Sequence, residues 1–147
     1  MICFTLTGCH TGEKLKKNLE KEGHAVSLAT KSMYLPESIK ESTKEWAGMQ
    51  FPVSDGIIFI GAAGIAVRSI APYVQSKKSD PAVVVVDECG RFVISLLSGH
   101  LGGANALAHQ AAKILNAIPV VTTATDLQGN FAVDVFAKKK ITAIFFR

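Results

Sequence analysis

The residues best suited to chemistry cluster in three short stretches. The first, Ser98-Gly99-His100-Leu101-Gly102-Gly103-Ala104-Asn105, lies between an apolar run that begins at Phe92 and an Ala-rich segment that reaches Leu115. A glycine-rich turn between a strand and a helix gathers backbone N–H groups and the positive end of a helix dipole at one point, which suits an anion. The spacing excludes the Walker phosphate loop, which needs Lys-Ser or Lys-Thr where Ala104-Asn105 stands, and the dinucleotide fingerprint Gly-x-Gly-x-x-Gly. Within this turn His100 reads as a general base, as a contact to a substrate carboxylate, or as a loop cap bonded to backbone. Asn105 reads equally as a ligand donor or as a group that satisfies its own loop.

The second stretch, Gly61-Ala62-Ala63-Gly64, follows the run Ile57–Ile60 and opens a short helix whose Arg68 is able to pair bidentately with a carboxylate or to stand exposed. The third is Thr122-Thr123-Ala124-Thr125-Asp126, where Asp126 would orient water or hold a ligand donor, or cap a turn. Asp87 and Glu88 are adjacent acids at a hairpin turn; paired acids divide acid and base roles, although solvation of the turn also explains them. Cys3, Cys9, His10 and Cys89 are metal-ligand types without metal-site spacing.

The elements that must position these residues follow from hydropathy and turn signals. Ile2–Thr7 is expected as a strand, Gly8–Gly12 as a turn, and a helix then runs to about Glu22, with Gly23 as its left-handed cap. Ala25–Thr30 is a second expected strand. After the break at Tyr34-Leu35-Pro36, Ser38 and Glu41 form a capping box for a short helix that carries Ile39 and Trp46 and closes at Gly48. The continuous run Ile57–Ile60 predicts a central strand covered on both faces, followed by a helix over 65–70 that Pro72 ends. Ala82–Val86 and Phe92–Ser95 read as a hairpin joined by Glu88-Cys89-Gly90-Arg91. The spacing of Ala104, Leu107, Ala108, Ala111 and Leu115 predicts a helix ended by Asn116, and Pro119–Thr123 is the last strand. Together these predict an α/β fold, a mostly parallel Rossmann-like sheet with flanking helices and a β-hairpin excursion. Ligands of such sheets sit at the C-terminal ends of the strands, and both glycine turns and Asp126 are expected on that edge. Trp46, Phe51 and Phe59 are expected in the core.

The chain has 147 residues, 48% of them apolar, and a formal charge of +4. That is enough for one domain with its own core. Three cysteines without a Cys-x-x-Cys pair point to reduced thiols in the cytoplasm and against a disulfide framework. No signal-peptide pattern opens the sequence, and no apolar run approaches the roughly 20 residues of a membrane span. The bases are scattered and lack the stripe with stacking aromatics that nucleic-acid binding calls for, so the charge favours an acidic small molecule. An unrelated nucleotide or phosphate binder is the outlying alternative.

The motifs Gly61-Ala62-Ala63-Gly64-Ile65-Ala66-Val67-Arg68, Ile70-Ala71-Pro72, Lys77, Asp80-Pro81-Ala82-Val83, Val86-Asp87-Glu88, Ser98–Asn105 and Thr122–Asp126, taken in this order, resemble the CbiG family of anaerobic cobalamin biosynthesis. The likeness covers a family-like core over 56–134, with 1–50 as a variable leading segment and 138–147 as an atypical tail. The resemblance implies a cobalt-precorrin-5A hydrolase that opens the ring-A lactone to give cobalt-precorrin-5B and acetaldehyde. For that reaction His100 or Asp126 is expected to handle protons as the catalytic group, and Gly61, Gly64, Arg68, Glu88, Ser98, Gly99, Gly102, Gly103, Asn105 and Thr125 are expected to bind substrate. No cofactor is expected, because cobalt arrives inside the corrinoid substrate. The expected partners are that substrate, and neither nucleic acid nor membrane; a homodimer and a separate chain supplying a C-terminal domain both stay open. Relatives of this family continue past the segment matching Asp134, whereas the tail Ile141–Arg147 reads as an added edge strand or as the product of a truncated or frame-shifted reading frame. The rival expectation is therefore a truncated, non-catalytic corrinoid-binding or assembly module.

Overall fold

The computed structural model describes residues 1–123. In chain order the elements are β1 (Ile2–Cys3), α1 (Leu6–Lys21), β2 (Ala29–Thr30), α2 (Thr43–Gln50), β3 (Gly56–Ile60), α3 (Ala63–Ile70), β4 (Ala82–Val86), β5 (Phe92–Leu97), α4 (Ala104–Leu115) and β6 (Ile118–Val120), with a 3-10 turn at Ala71–Tyr73 where Pro72 ends α3. The six strands form one sheet in the order β2-β1-β3-β4-β5-β6. The first four are mutually parallel; β5 runs antiparallel to β4, and β6 runs parallel to β5. The α/β mixed sheet is as expected, and the hairpin has a lasting effect: the last two strands both point the other way.

Alternation along the strands builds two cores. Cys3, Ile58, Ile60, Val84, Val86 and Val93 face α1 and α4, where Leu15, Leu19, Ala104, Ala108 and Ala111 meet them. Ile2, Ile57, Phe59, Val83 and Val85 face α2 and α3, packing on Trp46, Ala47, Ala66 and Ile70. A strand with helices on both faces needs apolar residues at every position, which is why β3 and β4 read as unbroken apolar runs. Trp46 stands edge-on to Phe59, ring centroids 5.8 Å apart and planes at 85°, a favoured aromatic geometry.

Several local expectations are corrected. The segment Gly8–Gly12 is helix, because α1 starts at Leu6 with Thr5 as its N-cap. Its glycines serve close approach to the sheet: a Cβ on Gly12 would lie 3.0 Å from both Ile60 Cδ1 and Leu28 Cδ1. The early start of α1 brings Cys9 beside the end of β1, and Cys3 and Cys9 form a disulfide with a Cα separation of 5.4 Å, leaving Cys89 as the free thiol. The expectation of three reduced thiols fails on this pair. The capping box sits four residues later than expected, at Ser42 and Glu45. Ser38 instead accepts from the Ser32 N–H and bridges to Thr30, and α2 runs through Gly48 to Gln50. β1 ends at Cys3 and not Thr7, β2 covers only Ala29–Thr30 of its expected range, and β6 starts one residue early, at Ile118, and ends at Val120.

In the capping box the Ser42 N–H and hydroxyl both donate to Glu45 Oε2 at 2.8 Å, and the Glu45 N–H donates back to Ser42 Oγ at 3.2 Å. These bonds, the one from the Ser42 backbone first, hold the Glu45 carboxyl below its usual range. Ser42→Ala is expected to destabilise the fold by about 1 kcal/mol, read as a lower urea midpoint with an unchanged denaturant slope.

Candidate active-site edges

Strand direction divides the expected site. Gly61 follows β3 at the C-terminal edge of the parallel strands, where Asp87 and Glu88 follow β4. β5 returns antiparallel and pairs Leu97 with Val83, so Ser98–Asn105 emerges at the opposite edge, beside the start of β4. β6 follows β5 and delivers Thr122 and Thr123 to that same second edge. The five-residue strands separate the edges by about 16 Å. The two glycine turns therefore do not share one cleft, contrary to expectation, while Ser98–Asn105 and Thr123 do come together. Thr125 and Asp126 lie outside the described residues, as does the tail over 138–147.

The first edge holds the point where strand order reverses. β2 lies on one side of β1 and β3 on the other, and in open α/β sheets ligands bind outside the carboxyl ends of the strands at such a switch point. Here three loops interlock. The Gly61 N–H donates to the Val86 carbonyl at 2.8 Å, and the Phe4 ring covers Gly61, where a Cβ would meet Phe4 Cδ2 at 2.9 Å. Thr5 Oγ1 donates to Glu88 Oε2 at 2.7 Å, and Thr11 Oγ1 donates to the Glu88 carbonyl at 2.7 Å. The N-cap of α3, Ala62, offers no side-chain bond, and among the described residues the N–H groups of Ala63 and Gly64 have no backbone acceptor. Arg68 is exposed and folds back over this turn, its Nη1 3.2 Å from where a Gly64 Cβ would stand. Open donors and a guanidinium on one helical turn can hold a carboxylate or an oxyanion.

Asp87 is structural. Its Oδ1 accepts from the Arg91 N–H at 2.7 Å and the Phe92 N–H at 2.6 Å, closing the β4–β5 turn. Desolvation pushes the carboxyl upward, but the Phe92 and Arg91 N–H groups and the Arg91 guanidinium outweigh it and leave it below the ordinary aspartate range.

At the second edge two donors at the start of α4 bond back into the turn before it. The Ala104 N–H donates to the Ser98 carbonyl at 3.1 Å and the Asn105 N–H to the Gly99 carbonyl at 2.9 Å. The buried Asn105 accepts from Ser95 Oγ at 2.6 Å and donates through Nδ2 to Thr123 Oγ1 at 2.6 Å, joining β5, α4 and the end of β6. The N–H groups of Ala104 and Asn105 are thus committed inside the turn. Ser98 takes φ +58°, and its Oγ is buried without a hydrogen-bond partner among the described residues. His100 is part-buried in the same turn. Beside it opens a cleft of about 510 Å³, lined among others by Trp46, Asp55, Gly56, Gly102, Gly103, Leu107 and Gln110.

Sequence reasoning missed Thr5, Thr11 and most of the cleft. Thr5 was legible as an N-cap only if α1 began at Leu6; the cleft residues are unremarkable singly and meet through topology. Among the described residues no group of three or more His, Cys, Asp and Glu is placed to hold a metal ion, and no helix is long and apolar enough to cross a membrane.

An open sheet of six strands with helices on both faces defines an α/β domain of the doubly wound class. The profile of the family described as "Cobalamin synthesis G N-terminal" matches residues 45–126, and the chain belongs to this family. It is 58% identical over 91 residues to a cobalt-precorrin-5A hydrolase of Salmonella typhimurium and 43% identical over 126 residues to one of Priestia megaterium, matches that cover 62% and 86% of this chain. It spans 26% and 31% of the length of those relatives. The crystal structure of a cobalamin biosynthesis protein G homologue from Sulfolobus solfataricus superposes with a TM-score of 0.64 at 29% identity, over 82% of this chain and 35% of that one.

Two consequences are measurable. Because the folded-state value of Asp87 is lowered, its contribution to stability is present above the ordinary aspartate range and is lost as pH falls through that lowered value; Asp87→Asn is expected to flatten this acid limb, read by urea unfolding between pH 6 and pH 3 (about, bracketing the carboxylate range). A Cβ on Gly102 would stand 2.2 Å from Ser98 Cβ and 2.6 Å from the Ser98 carbonyl oxygen, so Gly102→Ala is expected to cost about 1–3 kcal/mol of stability by the same measurement.

Proposed function

We propose that this chain forms the N-terminal part of a cobalt-precorrin-5A hydrolase and binds its corrinoid substrate at the switch-point edge. The observation that carries the reading is the placement at that one edge of the open Ala63 and Gly64 N–H groups, the Arg68 guanidinium on α3 and Glu88, tethered to α1. A corrinoid precursor carries many carboxylate side chains, and opening its lactone develops negative charge on the carbonyl oxygen. Donors fixed before the reaction stabilise that charge more than they stabilise the ground state. In this reading Gly61 and Gly64 shape the turn, Arg68 pairs with a carboxylate and Glu88 faces the attacking water. Cobalt enters as part of the substrate. Further polypeptide, of the kind the relatives carry beyond the matched segment, completes the enzyme. Membership of the family and the hydrolase names of its relatives support the reaction class.

A second reading is favoured by the cleft and the buried Ser98 hydroxyl at the other edge. There His100 would handle the proton, with Asp126 and Thr125 following in sequence and Ser98, Gly99, Gly102, Gly103 and Asn105 forming the wall.

Acetaldehyde release from cobalt-precorrin-5A tests the activity, with the chain alone and mixed with the part of the Priestia megaterium relative that lies beyond the match. Binding of the same substrate without acetaldehyde in either mixture would leave only the non-catalytic corrinoid-binding reading. Arg68→Ala is expected to weaken substrate binding about 10- to 100-fold, while His100→Ala leaves it within about 2-fold. The reverse pattern would move the site to the second edge.

A further inference from the structure

We infer that Thr5 is a positioning residue for Glu88, and that Glu88 is the group that takes the proton from the attacking water; this rests on the switch-point reading above. The Thr5 hydroxyl works twice. Its oxygen accepts from the Gly8 N–H at 3.0 Å, capping α1, and its proton goes to Glu88 Oε2 at 2.7 Å. A backbone N–H only donates and an ionised carboxylate only accepts, so both bonds have a fixed direction. Capping alone requires an acceptor, which aspartate supplies as well as threonine does. The donated bond is the additional feature. Thr11, two turns into α1, holds the main chain of the same residue at 2.7 Å, so an exposed glutamate that would otherwise sample many rotamers is pinned at side chain and backbone.

Its placement is what gives the pin a use. Thr5 follows β1, Gly61 follows β3 and Glu88 follows β4. A Cβ on Gly8 would touch both Thr5 Oγ1 at 3.2 Å and the Ile60 carbonyl at 3.4 Å, and Gly61 is bonded to Val86. With Oε2 occupied by Thr5, Oε1 is left to face solvent. The step balances without a co-reactant. A water O–H bond breaks and its proton moves to Glu88, the oxygen bonds to the lactone carbonyl carbon, and the carbonyl electron pair moves to oxygen. Collapse then breaks the ring C–O bond, and the proton on Glu88 passes to the departing alkoxide.

The test compares Thr5→Asp, Thr5→Ser and Glu88→Gln in the acetaldehyde assay, with thermal unfolding alongside. Aspartate keeps the cap but removes the donated bond and sets a like charge against Glu88; serine keeps both bonds. Expected are a kcat for Thr5→Asp and Glu88→Gln reduced roughly 100-fold or more, KM within about 3-fold, and Thr5→Ser within about 3-fold of wild type on both. Thr5→Asp is expected to melt within about 4 °C of wild type. Wild-type turnover in Thr5→Asp or Glu88→Gln overturns the inference, and so does a Thr5→Ser variant as impaired as Thr5→Asp. Should Thr5→Asp fail to fold, Glu88→Gln and Thr5→Ser decide it. Absence of acetaldehyde from wild type in both mixtures removes the switch-point hydrolase reading itself, and this inference with it, an outcome distinct from an active wild type with indifferent variants.

Discussion

The antiparallel pairing of β5 with β4 is the constraint on which the layout of this domain depends. Asp87 turns the chain by accepting from two successive N–H groups, and after that turn β5 and β6 run in the reversed direction. Had the chain crossed over to a parallel strand, the glycine turn before α4 would have joined the one before α3 on a single edge. The hairpin places them at opposite ends of the sheet. The resulting domain has two chemically different ends, one with open donors and a cation, the other with a tightly bonded turn beside a cleft of mixed polar and apolar lining.

Much of this was legible in the sequence, and the limits have physical causes. β3 and β4 could be read because strands covered on both faces tolerate no polar residue, and α3 and α4 because their apolar residues recur at helical spacing before Pro72 and Asn116. The start of α1 could not be read from its glycines. Gly8 and Gly12 signal a turn locally, yet they are placed by the tertiary demand that a helix lie close to Ile60 and Leu28. The disulfide was not legible either, because cysteine number and spacing say nothing of the approach of Cys9 to Cys3 that the early start of α1 brings about. Ser38 and Glu41 had the capping pattern as surely as Ser42 and Glu45; only the second pair preceded residues whose burial, Trp46 and Ala47, was required by the core.

At the candidate site, residue types were legible and their grouping was not. Arg68 and the turn before it were singled out by residue type and spacing, but Glu88 was weighed with Asp87 as a pair. The structure separates them: Asp87 is committed to main-chain N–H groups, and Glu88 is bound from across the sheet edge by a helix distant in sequence. Asn105 illustrates the opposite case. Its side chain bonds Ser95 on β5 and Thr123 just past β6, so it serves the fold by tying these elements together.

The aromatic core adds a property of its own. Trp46 is the single tryptophan of the chain; it is 6% exposed, rests edge-on against Phe59 and borders the cleft at the second edge. The indole emission of the native chain therefore comes from one end of the domain. It is an internal optical marker for events in that cleft, recorded without attaching any label.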